Sequence, residues 1–247
     1  MIEPFPSNQL DNLSRALADL LASDLDPEAF TRQLVHLNIE QARSIDPELP
    51  DILRACAIPR QFDEEVIGVL RDAPQDRDTS KRLLNELLSF SFVQERKAGG
   101  YLYHDNVRDT LLDEWSDPER KERFSELSQR LIAFYKHRGE DSYVQKRYED
   151  ALVALSAAIE LLPDDGNIYF GRGRTHYRLG DYAAALADLS RAIELLPDNG
   201  NIYLERGIMY YRLGNYAAAL ADLSRAVYRI LKRNAVRSKA KLHRKAV

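Results

Sequence analysis

The sequence has a single cysteine, Cys56, in 247 residues. That excludes an intramolecular disulfide and any zinc site built on several thiolates. Long apolar runs are missing as well: no stretch approaches the roughly 18 residues that cross a bilayer. The segment MIEPFPSNQLDNLSRALADLL has neither the basic start nor the unbroken apolar stretch of a secretory signal. Eleven glycines and ten prolines are too few for a long disordered linker. No G-x-x-x-x-G-K-[ST] occurs, and Gly99-Gly100 lacks the following Lys-Ser/Thr, so there is no basis for NTP hydrolysis. His36, His104, His137, His176 and His243 show no close metal-ligand spacing. No nucleophile–base pattern stands out. These absences predict a cytoplasmic protein that is not an enzyme and holds no metal or cofactor. Cys56, inside LRACAI, reads as a core residue.

Charge is unevenly placed. From Tyr228 onward, YRILKRNAVRSKAKLHRKAV carries eight Lys/Arg and no acid, leaving 27 basic and 39 acidic residues in the remainder. An acidic body with a basic tail suggests an acidic partner.

What the chain does have is self-similarity. YRLGDYAAALADLSRAIELLP at 177–197 returns as YRLGNYAAALADLSRAV at 211–227, and 163–196 matches 197–230 at 23 of 34 positions. A 34-residue period belongs to stacked helix–turn–helix units. Gly173 and Gly207 predict close helix contact, and Gly180 and Gly214 predict left-handed helix ends. Tyr182 and Tyr216 are placed to pack across each helix pair, and Pro163 and Pro197 to end the second helix. A weaker copy precedes them. YEDALVALSAAIELLP at 148–163 keeps Tyr148, Ala151, Leu155, Ala158 and Pro163, and its first helix would lie in SELSQRLIAFYKHRGED, without the RLG turn. The last copy has Leu231 where proline is due, so its second helix is expected to run on into the basic tail.

These motifs closely resemble the tetratricopeptide repeat family. The resemblance implies a solenoid whose concave face is lined by fixed positions of each first helix. Here these are Asn167, Phe170, Arg174, Tyr177 and Arg178, then Asn201, Leu204, Ile208, Tyr211 and Arg212. Guanidinium groups beside tyrosines would suit an acidic peptide. In the alternative, the tyrosines and arginines simply build the turn. The family's paired Lys and Asn carboxylate clamp is not reproduced.

The N-terminal half reads differently. PELPDILRACAI is a short amphipathic helix. PRQFDEEVIGVLRD places Phe62, Val66, Ile67 and Leu70 at helical spacing, with Asp63, Glu64 and Glu65 as solvated charges on its flank. DTSKRLLNELLSF predicts a helix capped by Asp78, Thr79 or Ser80, with Leu83, Leu84, Leu87 and Leu88 on one side. SFVQERKAGGYLYHD is a hairpin signal around Gly99-Gly100, and helix returns in NVRDTLLDEWSDPERKERF. Three short helices, a hairpin and another helix describe a winged helix. The segment is similar to the winged-helix part of signal-transduction NTPases, the group that includes plant resistance proteins. In that group a Met-His-Asp motif senses nucleotide, which would correspond to Tyr103-His104-Asp105. In the alternative, His104-Asp105 is a junction where Asp105 or Asn106 caps the next helix.

The expected architecture is mainly α. A helical lead segment (1–47) precedes a small winged-helix-like module with one β-hairpin (48–118). A tetratricopeptide solenoid of about three repeats (119–227) and a basic tail (228–247) follow. The expected function is a protein-interaction scaffold binding a peptide or protein, with a role in signalling. Two alternatives stay open: a DNA-binding regulator with a peptide-sensing repeat domain, and a switch fragment acting with an ATPase domain in trans. Against DNA, the candidate reading helix offers only Lys81, Arg82 and Asn85, opposed by Glu86, with Arg96 and Lys97 on the wing. The tail itself reads either as a solvated terminal helix or as an electrostatic patch for nucleic acid, membrane or an acidic protein.

Overall fold

The computed structural model describes residues 15–97 and 99–245, with side chains as far as 233. The described residues are mainly helical with one two-stranded antiparallel sheet. It forms two compact units, one ending at Leu131 and one beginning at Ile132.

The first unit begins with helix at 15–21 (α1) and α2 (Pro27–Ile45), which Asp26 caps by accepting from Ala29 N at 2.8 Å. Residues 1–14, where part of the expected lead helix falls, lie outside the described residues. Then come α3 (Leu49–Ala55), α4 (Glu64–Leu70) and α5 (Arg77–Leu87). Strands β1 (Val93–Glu95) and β2 (Tyr101–Tyr103) pair with Val93 opposite Tyr103. Gly99 and Gly100 turn the hairpin at φ 87° and 76°, a region that costs glycine nothing. Helix α6 (Asp105–Asp113) and a short 3-10 turn at Glu114–Ser116 lead into α7 (Pro118–Val144). The helix expected across NVRDTLLDEWSDPERKERF is therefore broken at Asp117, ahead of Pro118, which restricts it to extended backbone.

Three local expectations are corrected. Phe62 is not helical: it exchanges two backbone hydrogen bonds of 2.8 Å with Tyr101 and extends the hairpin by an isolated bridge. Asp63 is not merely solvated, because it caps α4 by accepting from Val66 N at 2.9 Å. Asp76, not Asp78, Thr79 or Ser80, caps α5 through Thr79 N. In both helices the carboxylate just before the first turn takes an amide that has no partner in the helix.

The core of this unit gathers Ile39, Leu49, Leu53, Ile67, Leu83, Leu87 and Leu111, all buried. Cys56 is buried among them, and burial pushes its thiol pKa up. Tyr103 brings a hydroxyl into this interior and donates it to Leu53 O at 3.0 Å, so the polar atom is satisfied.

The second unit stacks helix pairs. The last part of α7 is followed by α8 (Tyr148–Leu161), α9 (Gly166–Leu179), α10 (Tyr182–Leu195), α11 (Gly200–Arg212) and α12 (Tyr216–Lys245). Helix α12 runs on through Leu231 as expected. The three turns inside the pairs are built alike. Gly180 N and Gly214 N donate to Tyr177 O and Tyr211 O, and Asp181 N and Asn215 N donate to His176 O and Tyr210 O. In the first pair the same two bonds run from Lys146 N to Tyr143 O and from Arg147 N to Ser142 O. Lys146 thus occupies the glycine position, at φ 62° against 82° and 77°. The turn survives without RLG because its backbone bonds do not need the glycine, only the left-handed conformation.

Helix contact is close where the sequence has Gly173 and Gly207. A Cβ at Gly173 would sit 3.2 Å from Asp188 Cβ, and one at Gly207 3.0 Å from Leu223 Cγ. Next to each glycine lies a feature not foreseen in the sequence. Arg172 grips the Asp188 carboxylate with two hydrogen bonds of 2.8 Å and donates a third, of 3.2 Å, to Ser156 of the preceding pair. Arg206 repeats the pattern on Asp222 (2.7 and 3.0 Å) and Ser190 (2.9 Å). Both aspartates are buried. One side chain therefore ties each first helix to its own second helix and to the pair before it.

Two outcomes are expected. Replacing Lys146 by glycine relieves a left-handed L-residue and raises stability by about 1 kcal/mol in urea unfolding. Arg206→Met removes the two-point grip on the buried Asp222 carboxylate, leaves it Arg225 at 3.6 Å, and costs about 3 kcal/mol, while Arg206→Met/Asp222→Leu recovers most of that loss.

Candidate functional site

The groove positions lie on α9 and α11, and the structure brings several of them together around a residue outside the expected set, Tyr143 at the end of α7. The Arg174 guanidinium lies 4.7 Å from the Tyr143 ring centre and 5.7 Å from that of Phe170. Arg178 lies over the same Tyr143 ring at 5.9 Å and donates to its hydroxyl at 3.1 Å. One repeat later, Arg212 lies over Tyr177 at 5.6 Å. Tyr143, Tyr177 and Tyr211 stand one repeat period apart, and each contacts a tyrosine across its turn. Tyr148, Tyr182 and Tyr216 pack against them at 5.6, 5.8 and 5.6 Å. The result is a ladder of tyrosine faces bridged by arginines from one pair to the next. Tyr143 was legible in principle, since it stands one full repeat before Tyr177. The first pair lacks the RLG motif that draws the eye.

Other expected residues are less assembled. Leu204, Ile208 and Tyr211 are exposed on α11, Tyr211 at 62%. Asn167 is engaged at its own helix start, where its side chain donates to Asp165 Oδ1 at 3.1 Å. Asn201 is exposed and its backbone amide donates to Asn199. Arg174 also faces Glu205 at 3.8 Å, so an acid stands beside the arginines. A guanidinium lying over a tyrosine still presents N–H groups at its edge, the geometry that takes a carboxylate.

In the first unit, His104 is exposed and its ring is 2.8 Å from Gln94 Nε2. Neither Asp105 nor Asn106 caps α6 as expected: His104 holds the cap position and makes no side-chain bond there, while Asn106 Oδ1 accepts only from the adjacent Val107 N. Arg82 is paired with Asp46, and Arg96 donates to Gln61. A cavity in this unit is bordered by Trp115 and by Arg54, Arg71, Arg120 and Arg123. Each of these guanidiniums meets a carboxylate. Among the described residues no group of three or more His, Cys, Asp or Glu could hold a metal ion, and no helix is long and apolar enough to cross a membrane.

Residues 138–200 and 170–235 match the Tetratricopeptide repeat family, so the second unit carries tetratricopeptide repeats. The match does not extend to 48–118. No curated protein matches the chain. Among solved structures, the TPR2B domain of yeast Sti1, in a complex with pHsp70, is 22% identical with a TM-score of 0.42, over 46% of this chain and 91% of that one. The Arabidopsis OM64 TPR domain is 23% identical with a TM-score of 0.41, over 49% and 99%. The first TPR of Spaghetti (RPAP3), bound to the HSP90 peptide SRMEEVD, is 20% identical with a TM-score of 0.40, over 45% and 91%.

One carboxylate of the array gives a pH prediction. Burial acts to raise the pKa of Asp165. The Lys136 ammonium at 2.8 Å and the Asn167 amide at 2.9 Å outweigh it and hold the carboxyl below its ordinary value. A lowered folded pKa gives stability that is present above the unfolded value and lost as pH falls through the folded one. Asp165→Asn should therefore flatten the loss of thermal stability below about pH 4.

Proposed function

We propose that the chain is a non-enzymatic interaction scaffold whose tetratricopeptide array takes a peptide or protein partner on the tyrosine–arginine ladder. The observation that carries this reading is the repetition of the ladder itself. Tyr143 with Arg178 and Tyr177 with Arg212 recur at the repeat period, with Arg174 added on the first ring, on side chains that are at least partly accessible. Stacking holds each guanidinium in place, which lowers the entropy lost when a carboxylate arrives. The partner is accordingly proposed to be acidic. Glu205 narrows this: a carboxylate is best received near Arg178 and Arg212, away from the Arg174–Glu205 contact.

For residues 48–118 we propose a winged-helix-like docking module. Three short helices, the hairpin and the Phe62 bridge support it. The engagement of Arg82 and Arg96 with Asp46 and Gln61 weakens the DNA-reading alternative, because phosphate contact would have to break those bonds. A signalling role, suggested by the resemblance of this segment, and a cytoplasmic location, suggested by the single cysteine and the absence of a secretory signal pattern, are part of the same proposal.

The test is a pull-down from the source cell's lysate with the intact chain, with Arg174→Ala/Arg178→Ala/Arg212→Ala, and with a chain ending at Arg229. A partner held by the intact and shortened chains and lost by the triple variant is the expected result. If the triple variant keeps it, the ladder is a structural feature of the turns and the groove reading is wrong.

A further inference from the structure

Among the described residues, one face of α12 is left uncovered. On α10, Leu186 and Ile193 pack against the cluster that contains Ile202 and Met209 of α11. Their counterparts one repeat later are Leu220 and Val227 of α12, which are 67% and 58% exposed. The departures from the repeat enlarge this face. Where α10 has Glu194, α12 has Tyr228, and where the earlier unit ends in Pro197 the chain has Leu231; these are 61% and 63% exposed. Tyr216, at 65%, extends the same apolar surface. A polar feature continues the series too. Ser156 and Ser190 each accept from an arginine of the next first helix. Ser224 holds the third position, exposed, with its hydroxyl donated to Leu220 O at 2.7 Å as Ser190 donates to Leu186 O, so an acceptor lone pair still faces outward.

We propose that this face of α12 is a docking surface for an amphipathic α-helix of a partner protein. Its continuity with the α10–α11 interface sets the occupant's form: a helix with an apolar stripe over Leu220 and Val227 and a basic donor opposite Ser224. Charge sets its direction. Short links reverse the chain between helices, so each first helix begins near the end of the second helix before it. The corresponding end of the open face carries exposed Lys232 and Arg233. The occupant therefore begins with acidic residues, as the segment Pro163-Asp164-Asp165 begins the α9 unit. A second α12 docked in that direction would bring Asn215-Tyr216-Ala217, with no acid, to this basic end, so it lacks the complementary charge.

The probe is a labelled synthetic peptide with the sequence of residues 163–179, titrated into the full chain and read by fluorescence anisotropy. Saturable binding is expected. Leu220→Asp/Val227→Asp should weaken it by about tenfold or more, while Arg178→Ala/Arg212→Ala leaves it unchanged. Both substituted apolar positions are exposed, so the variant's circular dichroism should match the parent's. A peptide with Asp164 and Asp165 replaced by lysine should bind more weakly at low salt. No saturable binding, or binding that survives Leu220→Asp/Val227→Asp, overturns the proposal. A dimer in sedimentation velocity that dissociates on Leu220→Asp/Val227→Asp overturns it in favour of a second copy.

Discussion

The second unit depends on a buried charge held in place by an arginine of its own helix pair. Asp188 and Asp222 would be expensive in an interior without full pairing. Arg172 and Arg206 supply it with a two-point grip, then use a remaining N–H on the serine of the preceding pair. The glycine beside each arginine permits the approach. Without a Cβ at 173 or 207, the first helix comes close enough for the neighbouring guanidinium to reach its carboxylate. Packing and electrostatics are thus one constraint: a wider helix spacing would both open the core and strand the aspartate.

Two of the three pairs carry that constraint (the first has Ala154 in place of the aspartate), and its consequences recur with it. The same spacing brings Tyr143, Tyr177 and Tyr211 into line and lets arginines of the next pair lie over the first two. Among the described residues no further first helix covers the last pair. Leu220, Val227 and Ser224 remain outward in the places where earlier pairs are covered. The ladder and the uncovered face are two outcomes of one periodic arrangement, one at its side and one at its last pair.

The first unit follows different rules. Two of its helices, α3 and α4, have seven residues each, too short to be stable alone. Asp63 caps α4, Asp76 caps the following α5, and Tyr103 and Trp115 bring polar atoms into the interior that find backbone acceptors, Leu53 O and Arg54 O. Phe62 shows how tertiary pairing overrides local pattern. Its spacing from Val66 and Leu70 reads as helix, yet its amide and carbonyl pair with Tyr101. A backbone that finds a strand partner has no need of the helix its side chains would allow.

The sequence by itself determined the repeat period, the positions of the helices and turns in the second unit, the hairpin at Gly99-Gly100 and the continuation of α12 past Leu231. These are local matters of glycine conformation, helix propensity and apolar spacing, and each is encoded within a short stretch of chain. What the tertiary structure decided involves partners well separated in sequence. Arg172 meets Asp188 and Ser156, Arg178 meets Tyr143, and Phe62 pairs with Tyr101. Periodicity marks which residues recur, but a guanidinium, a carboxylate and a ring carry no sign of which of them will meet until the helices are stacked.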